Sequence, residues 1–381
     1  MKVAYLTPEF PHDKTLPSAG IGASILNLSK GLIQLNHSVI VIVYGQDRDE
    51  VIQEKDLTIF KIKNIKLKGF SLFLTQKKVQ RLINDLHLTG KIDVVEAPDW
   101  TGFTSFINIK CPLIIKLHGS DTYFCHLDNR PVKFKNKFLE KLALQKVDGV
   151  IAVSNFVGEL TNKVFNLNLE FNVIPNAIDV KLFTSIERIK SNNSILYFGT
   201  LIRKKGVLEI PYIFNEVNNT LPNVQLILVG KDAPDIKTNN SSTWQLMGTQ
   251  FSKNAKPQVQ YKGQVTYSEI KNYINNASVC IFPSFAEALP VSWLEAMAMK
   301  KAIVASNIGW ASEMIEDNKE GFLVDPKDHK SFSNAIINVL NDVALQNNLG
   351  EAANTKVHKM FDIEVIAQKN IDFYKTLVKN V

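Results

Sequence analysis

Apolar and polar positions along the chain switch between two rhythms from one end to the other. Short runs of β-branched residues, of buried-strand length, alternate with longer segments whose apolar positions recur at helical spacing. In the first half the runs predict strands at 2–7, 38–44, 57–63, 92–96, 112–118, 149–154 and 172–175. Helical patterns fill 21–35, 76–88, 135–146 and 156–165. The pattern then resets. Residues 184–193, TSIERIKSNN, are polar and carry no apolar run, so they are expected to be a linker. A second series follows, with strands at 194–199, 224–229, 279–283, 302–306 and 321–324 and helices at 205–217, 267–275, 291–299 and 332–343. A last helical stretch, 362–379, closes the chain.

Strands that read as continuous apolar runs, each followed by a helix, predict parallel sheets covered on both faces. The expectation is therefore an α/β chain of two Rossmann-like domains facing each other across a cleft. The first domain takes residues 1–183 and the second 194–361, with 362–381 returning to the first. In such sheets ligands bind beyond the carboxyl ends of the strands.

The chain has 381 residues, enough for two cored domains, with 45% hydrophobic and 21% charged residues. No signal-peptide core follows the first methionine, and no apolar run approaches the ~20 residues of a membrane span. A cytoplasmic protein is expected. Cys111, Cys125 and Cys280 have neither disulfide-framework nor zinc-ligand spacing. The formal charge of +7 favours a negatively charged partner, but the sign alone does not choose between phosphorylated small molecules, anionic lipid and nucleic acid.

The chemistry concentrates in 280–306, CIFPSFAEALPVSWLEAMAMKKAIVAS. A strand ends at Pro283, Pro290 stands where a helix begins, and another strand follows. That places Ala288 to Ser292 at a helix N-terminus, where backbone amides and the helix dipole suit a phosphate. Glu287 and Glu295 flank this start, and carboxylates accept hydrogen bonds from vicinal hydroxyls. A bland alternative stays open on spacing alone: Glu287 acting on the helix dipole and Glu295 as a solvated helix residue. The loop Thr200-Leu201-Ile202-Arg203-Lys204-Lys205-Gly206 gathers three cations between a strand and a helix. Cations there suit the charge that develops on a leaving diphosphate, although a solvated loop explains them as well.

These residues resemble the E-x7-E signature of retaining glycosyltransferase family 4, whose members have the GT-B fold. Leu294-Glu295-Ala296-Met297-Ala298, Ile303-Val304-Ala305-Ser306, Gly309, Glu313 and Gly321-Phe322-Leu323-Val324 follow in family order. The resemblance implies that Glu287 contacts the donor sugar and Glu295 the ribose, with the backbone of Ala288, Leu289, Pro290 and Val291 near the diphosphate. Leu289-Pro290 replaces the family's usual Phe-Gly. In the family pattern G-R-L-x-x-x-K-G, Lys205 matches the phosphate-holding lysine. Thr200 stands at the arginine position, so Arg203 would have to supply that charge.

Two further features match the family, and a third is read from its position alone. Gly20 and Gly22, after the first strand, match a glycine-rich loop beside donor phosphates and acceptor; Ile25 occupies the third glycine of a dinucleotide fingerprint, which argues against a nicotinamide site. His118 ends an apolar strand and matches an active-site histidine. Asp99, after another strand, is a candidate acceptor contact.

The expected activity is transfer of a sugar from a nucleoside-diphosphate sugar to a hydroxyl of a glycan or lipid-linked acceptor. The resemblance implies retention of configuration, by same-face attack assisted by the departing phosphate. The catalytic set would be His118, Arg203, Lys205 and Glu287, in cell-surface glycan or glycoconjugate synthesis. No cofactor and no metal site are expected, and no nucleic-acid partner. A sugar-nucleotide epimerase on the same architecture, or a non-catalytic nucleotide- or glycan-binding module, are the alternatives. Finally, 133–146, KFKNKFLEKLALQK, repeats lysine at Lys133, Lys137 and Lys141 beside Phe134, Phe138 and Leu142. This suggests contact with an anionic membrane, against a commoner reading in which the apolar stripe packs into the core.

Overall fold

The computed structural model describes residues 1–184 and 193–378. Most of the expected linker, and residue 379, therefore lie outside the described residues. The chain divides into two compact units, one of Met1–Ala177 with Phe361–Val381 and one of Ile178–Met360. The boundary thus falls after Ala177 rather than after residue 183, and the last helix, Ile363–Val378, folds with the first unit.

The strands of the first unit are β1 (Lys2–Thr7), β2 (Ser38–Gln46), β3 (Glu50–Gln53), β4 (Leu57–Lys63), β5 (Val94–Pro98), β6 (Leu113–Leu117), β7 (Gly149–Ala152) and β8 (Asn172–Val173). They form one sheet in the order β3-β4-β2-β1-β5-β6-β7-β8. Every pair is parallel except β3 with β4. Central strands are apolar throughout because helices cover both faces: Val3 to Leu6 and Ile114 to Ile115 have no exposure. The order turns at β1, which lies between β2 and β5, so the loops after β1, β5 and β6 gather near one sheet end.

The second unit continues with β9 (Ser194–Phe198), β10 (Gln225–Val229), β11 (Val259–Tyr261), β12 (Val279–Phe282), β13 (Ala302–Ser306) and β14 (Phe322–Val324). Its sheet is parallel throughout, in the order β11-β10-β9-β12-β13-β14. Here the order turns between β9 and β12; the loops after those two strands carry the cations and Glu287, and Glu295 follows in the helix after β12.

The Ile363–Val378 helix packs against helix Gly20–Gln34. Gly31 makes the approach possible, since a Cβ there would overlap the Ile363 carbonyl. Ile363, Ile366, Ile371 and Tyr374 enter the same core as Val3, Tyr5 and Val41. The Tyr374 hydroxyl donates to Glu96 Oε2 at 2.6 Å, deep in the sheet.

Several element ends differ from expectation for local reasons. The helix expected from residue 205 begins at Ile210, because Arg203–Lys205 form a 3-10 turn that Gly206 ends with φ +64°. Pro290 precedes the helix Val291–Ala298 as its N-cap rather than opening it as the first helical residue. The short edge strands β3 and β11, and the helices Asp121–Leu127, Thr243–Gly248 and Val343–Met360, were absent from the sequence reading.

Candidate active site

In the second unit two loops are tied together by backbone. The Lys204 carbonyl accepts the amides of Phe285 and Ala286 at 2.9 and 3.1 Å. Gly206 lies flat against Pro283, whose carbonyl oxygen a Cβ would overlap. At the strand ends, Gly230 (φ +148°) passes Gly199 (φ +145°) so closely that a Cβ on Gly230 would strike the Gly199 carbonyl. These contacts fix where the next side chains point. Lys205 Nζ meets Glu287 Oε1 at 2.9 Å, an ion pair drawn from the ends of β9 and β12.

Glu287 is 9% exposed and Glu295, within helix Val291–Ala298, is 8% exposed. Burial of this degree removes the solvated-helix reading of Glu295, since ionisable side chains are taken out of water only with partners or for a ligand. Glu287 also raises the pKa of the buried Tyr197 hydroxyl, after burial itself, and that hydroxyl donates to the Thr200 carbonyl at 3.0 Å. The backbone from Ala288 to Val291 leads directly into the helix, whose N-terminus has no side-chain cap because Pro290 supplies no side-chain acceptor. Lys327 Nζ sits 5.8 Å over the Phe285 ring, a further cation beside this loop that the sequence reading did not single out.

Arg203 is held differently. Its Nε and one terminal nitrogen donate to the two oxygens of Asp235, both at 2.7 Å. These bonds first, with Thr238 assisting, draw the Asp235 carboxyl down to about 2. Arg203 is thus braced across the loop, whereas Lys205 is turned to Glu287. Asp235 carried no signal in the sequence, because its partner lies in a loop after another strand.

In the first unit Asp99 and His118 come together at the ends of β5 and β6. The His118 amide donates to Asp99 Oδ1 at 3.0 Å, and the Asp99 amide donates to the Lys116 carbonyl. Asp99 Oδ2 is buried without a hydrogen-bond partner among the described residues. Burial, with the nearby Glu140 charge, pushes the Asp99 carboxyl up to about 8. Burial and then the Lys116 charge lower His118 to about 3, so its imidazole is neutral at ordinary pH. Glu140, the lone acid of KFKNKFLEKLALQK, accepts the amides of Asp121 and Thr122 and the Thr122 hydroxyl, capping helix Asp121–Leu127 just beyond His118. Gly102 (φ +62°) lets the Leu139–Glu140 backbone come close enough to hold it there.

The two candidate glycines differ. A Cβ on Gly20 would meet open space, but one on Gly22 would overlap Ser18. The Gly22 amide is also taken by Glu9 Oε1 at 2.9 Å. Gly22 therefore serves close packing of the loop, and Gly20 keeps an open approach. Asp47 and Asp49, an Asp-x-Asp spacing the sequence reading passed over, are held by Lys61 at 3.0 Å and Lys78 at 2.6 Å. Among the described residues no three His, Cys, Asp or Glu side chains are grouped as a metal site, and no helix is long and apolar enough to cross a membrane.

Comparison with known proteins bears on family and fold. The family model for glycosyl transferases group 1 matches residues 181–356, and that for glycosyltransferase family 4 matches residues 18–182. An uncharacterized glycosyltransferase of Methanocaldococcus jannaschii is 24% identical over 98% of both chains. The UDP-Gal:alpha-D-GlcNAc-diphosphoundecaprenol alpha-1,3-galactosyltransferase of Escherichia coli is 25% identical over 66% of each chain. Among solved structures, sucrose-phosphate synthase from Thermosynechococcus elongatus superposes with a TM-score of 0.80 at 19% identity, covering 100% of both chains. With family matches running through both units and a GT-B neighbour over its whole length, the chain belongs to the group 1 glycosyltransferases of family 4.

Proposed function

We propose that this glycosyltransferase moves a hexose from a nucleoside-diphosphate sugar to a hydroxyl of a glycan or lipid-linked acceptor, with retention of configuration. The observation that carries the reading is the Lys205–Glu287 pair, set beside a helix start that has no side-chain cap. The second unit takes the donor: Glu295 holds the ribose hydroxyls, the Ala288 to Val291 backbone faces the diphosphate, and Glu287 orients the sugar. When the diphosphate arrives, Lys205 passes from Glu287 to phosphate. The acceptor oxygen bonds to the anomeric carbon on the face the leaving group departs from. The bond from that carbon to the phosphate oxygen breaks, its electron pair stays on the diphosphate, and the acceptor proton follows to the same phosphate.

Lys205 also stabilises the charge added as the bond breaks, so it lowers the barrier as well as binding the diphosphate. Arg203, braced by Asp235, stiffens the loop and adds positive field. In the first unit Asp99 and His118 take the acceptor and the sugar hydroxyls, the imidazole acting as a neutral hydrogen-bonding group. Gly20 leaves room for backbone to approach substrate. No metal cofactor is needed in this scheme. The relative named for a diphosphoundecaprenol-linked sugar supports a lipid-linked acceptor, and a relative named for capsular polysaccharide biosynthesis supports a role in surface polysaccharide synthesis.

The test is a panel of UDP-, GDP- and ADP-sugars followed by thermal shift and slow donor hydrolysis, with EDTA present. One nucleotide class is expected to stabilise the protein and turn over. Lys205→Ala is expected to lower kcat by about 10²–10³-fold, with a smaller loss of donor affinity. Glu295→Ala is expected to weaken donor binding instead. Absence of binding to every nucleotide sugar would remove the reading.

A further inference from the structure

Helix Phe134–Leu144 has two faces with different tasks. Leu139, Glu140, Ala143 and Leu144 are buried, and Glu140 reaches the loop beyond His118. At about 100° per residue, Phe134, Phe138 and Lys141 fall on the opposite side, with Lys135 and Lys137 flanking them. There Phe134 is 84% exposed and Phe138 52% exposed, their rings stacked 6.3 Å apart. The sequence reading gave this apolar stripe to the core as its commoner explanation. The structure turns Phe134 and Phe138 to solvent and leaves Leu142 half-buried.

The charge on that face has one sign. Its sole acid, Glu140, is buried on the inner side, leaving Lys133, Lys135, Lys137 and Lys141 around the two rings. Just past the helix's C-terminal end, Lys146 lines a hollow with Lys77 in which Phe73 and Phe106 meet edge to face at 6.1 Å. A cationic face repels a second copy of itself, while exposed aromatics gain nothing from water. Lysines flanking aromatic rings on the outer side of a helix match an anionic lipid surface, which takes both.

We propose that helix Phe134–Leu144 docks this protein on an anionic bilayer, Phe134 and Phe138 entering the headgroup layer and Lys135, Lys137 and Lys141 lying over lipid phosphates. The docking rests on the outer face alone and not on the donor chemistry, so either reading stands if the other fails. The buried face of the same helix supports the His118 loop, which couples attachment to the acceptor side of the first unit.

Co-sedimentation of the full chain with vesicles of phosphatidylcholine alone, and of an equimolar phosphatidylcholine–phosphatidylglycerol mixture, tests it. Binding is expected to the anionic vesicles, weakening as salt rises. The triple variant Lys135→Gln, Lys137→Gln, Lys141→Gln is expected to bind on the order of a hundredfold more weakly. Phe134→Ser with Phe138→Ser is expected to lose roughly tenfold, with little change in Tm or donor thermal shift because both rings are largely exposed. The proposal is overturned if wild-type chain ignores anionic vesicles at low salt, or if both variants bind like wild type. It is equally overturned if the chain sediments as a dimer that Phe134→Ser with Phe138→Ser makes monomeric.

Discussion

At the scale of single residues, Asp99 and His118 show how burial sets protonation. The Asp99 carboxyl is raised from 3.8 to about 8, and His118 is lowered from 6.5 to about 3. A raised folded-state pKa contributes stability that is complete below the unfolded value and gone once pH passes the folded one. A lowered value works in reverse, with stability complete above pH 6.5 and lost as pH falls toward 3. Between pH 6.5 and 8, Asp99 is thus the member of this pair that acts, and its contribution falls as pH rises, by at most about 1.4 kcal/mol per pH unit. Asp99→Asn keeps an oxygen for the His118 amide but cannot ionise. Its Tm should therefore decline less than that of wild type between pH 6.5 and 8, as followed by calorimetry. Equal slopes would show that Asp99 is already ionised in the fold. Asp99 and His118 were visible in the sequence as strand-end residues. Glu140 was visible only as the odd acid among lysines, because its role depends on a helix folding back onto the loop at Gly102.

At the scale of elements, the loops after β9 and β12 act as one piece. Gly206 needs φ +64° and a bare Cα against Pro283 at once. Gly206→Ala combines a left-handed backbone cost with backbone overlap, and we expect it to destabilise the chain by more than about 2 kcal/mol. Because the same turn aims Lys205 at Glu287, nucleotide-sugar affinity should fall together with Tm in a thermal-shift series. A variant with lowered Tm but unchanged donor affinity would separate the turn from the site. The sequence supplied the turn's residues and the spacing of Glu287 and Glu295. It did not supply the Lys204 carbonyl's hold on Phe285 and Ala286, since backbone bonds between distant loops leave no residue pattern. Pro290 marked the start of a helix but not its place as N-cap, a difference of one residue that backbone dihedrals decide.

At the scale of the whole molecule, the chain leaves the first unit at Ala177 and returns to it at Phe361. The return is anchored by Tyr374, which donates to Glu96 Oε2 beside Tyr5. Burial pushes the Glu96 carboxyl up, opposed by the Lys116 charge and by the Tyr374 bond. Tyr374→Phe leaves that buried oxygen without this donor, and a loss of about 1–3 kcal/mol is expected from denaturant unfolding. The loss should fall on the first unit, read by hydrogen exchange of β1 and β5, while donor-induced protection in the second unit persists. Uniform loosening of both units would contradict the assignment of this helix.

Most of the alternation of strands and helices, and the 280–306 segment with its two glutamates, were legible in the sequence itself. Each is a local pattern: an apolar period, a turn residue, a spacing along one strand–helix step. Tertiary structure alone decided which cations and acids meet, giving Lys205 to Glu287 and Arg203 to Asp235. It also decided which side of helix Phe134–Leu144 faces water. Periodicity finds that an amphipathic helix has faces, but a stripe of phenylalanine between lysines has the same period whether it is packed or bare. Only the neighbours that fold against Leu139, Glu140 and Ala143 choose the side, and those neighbours come from elsewhere in the chain.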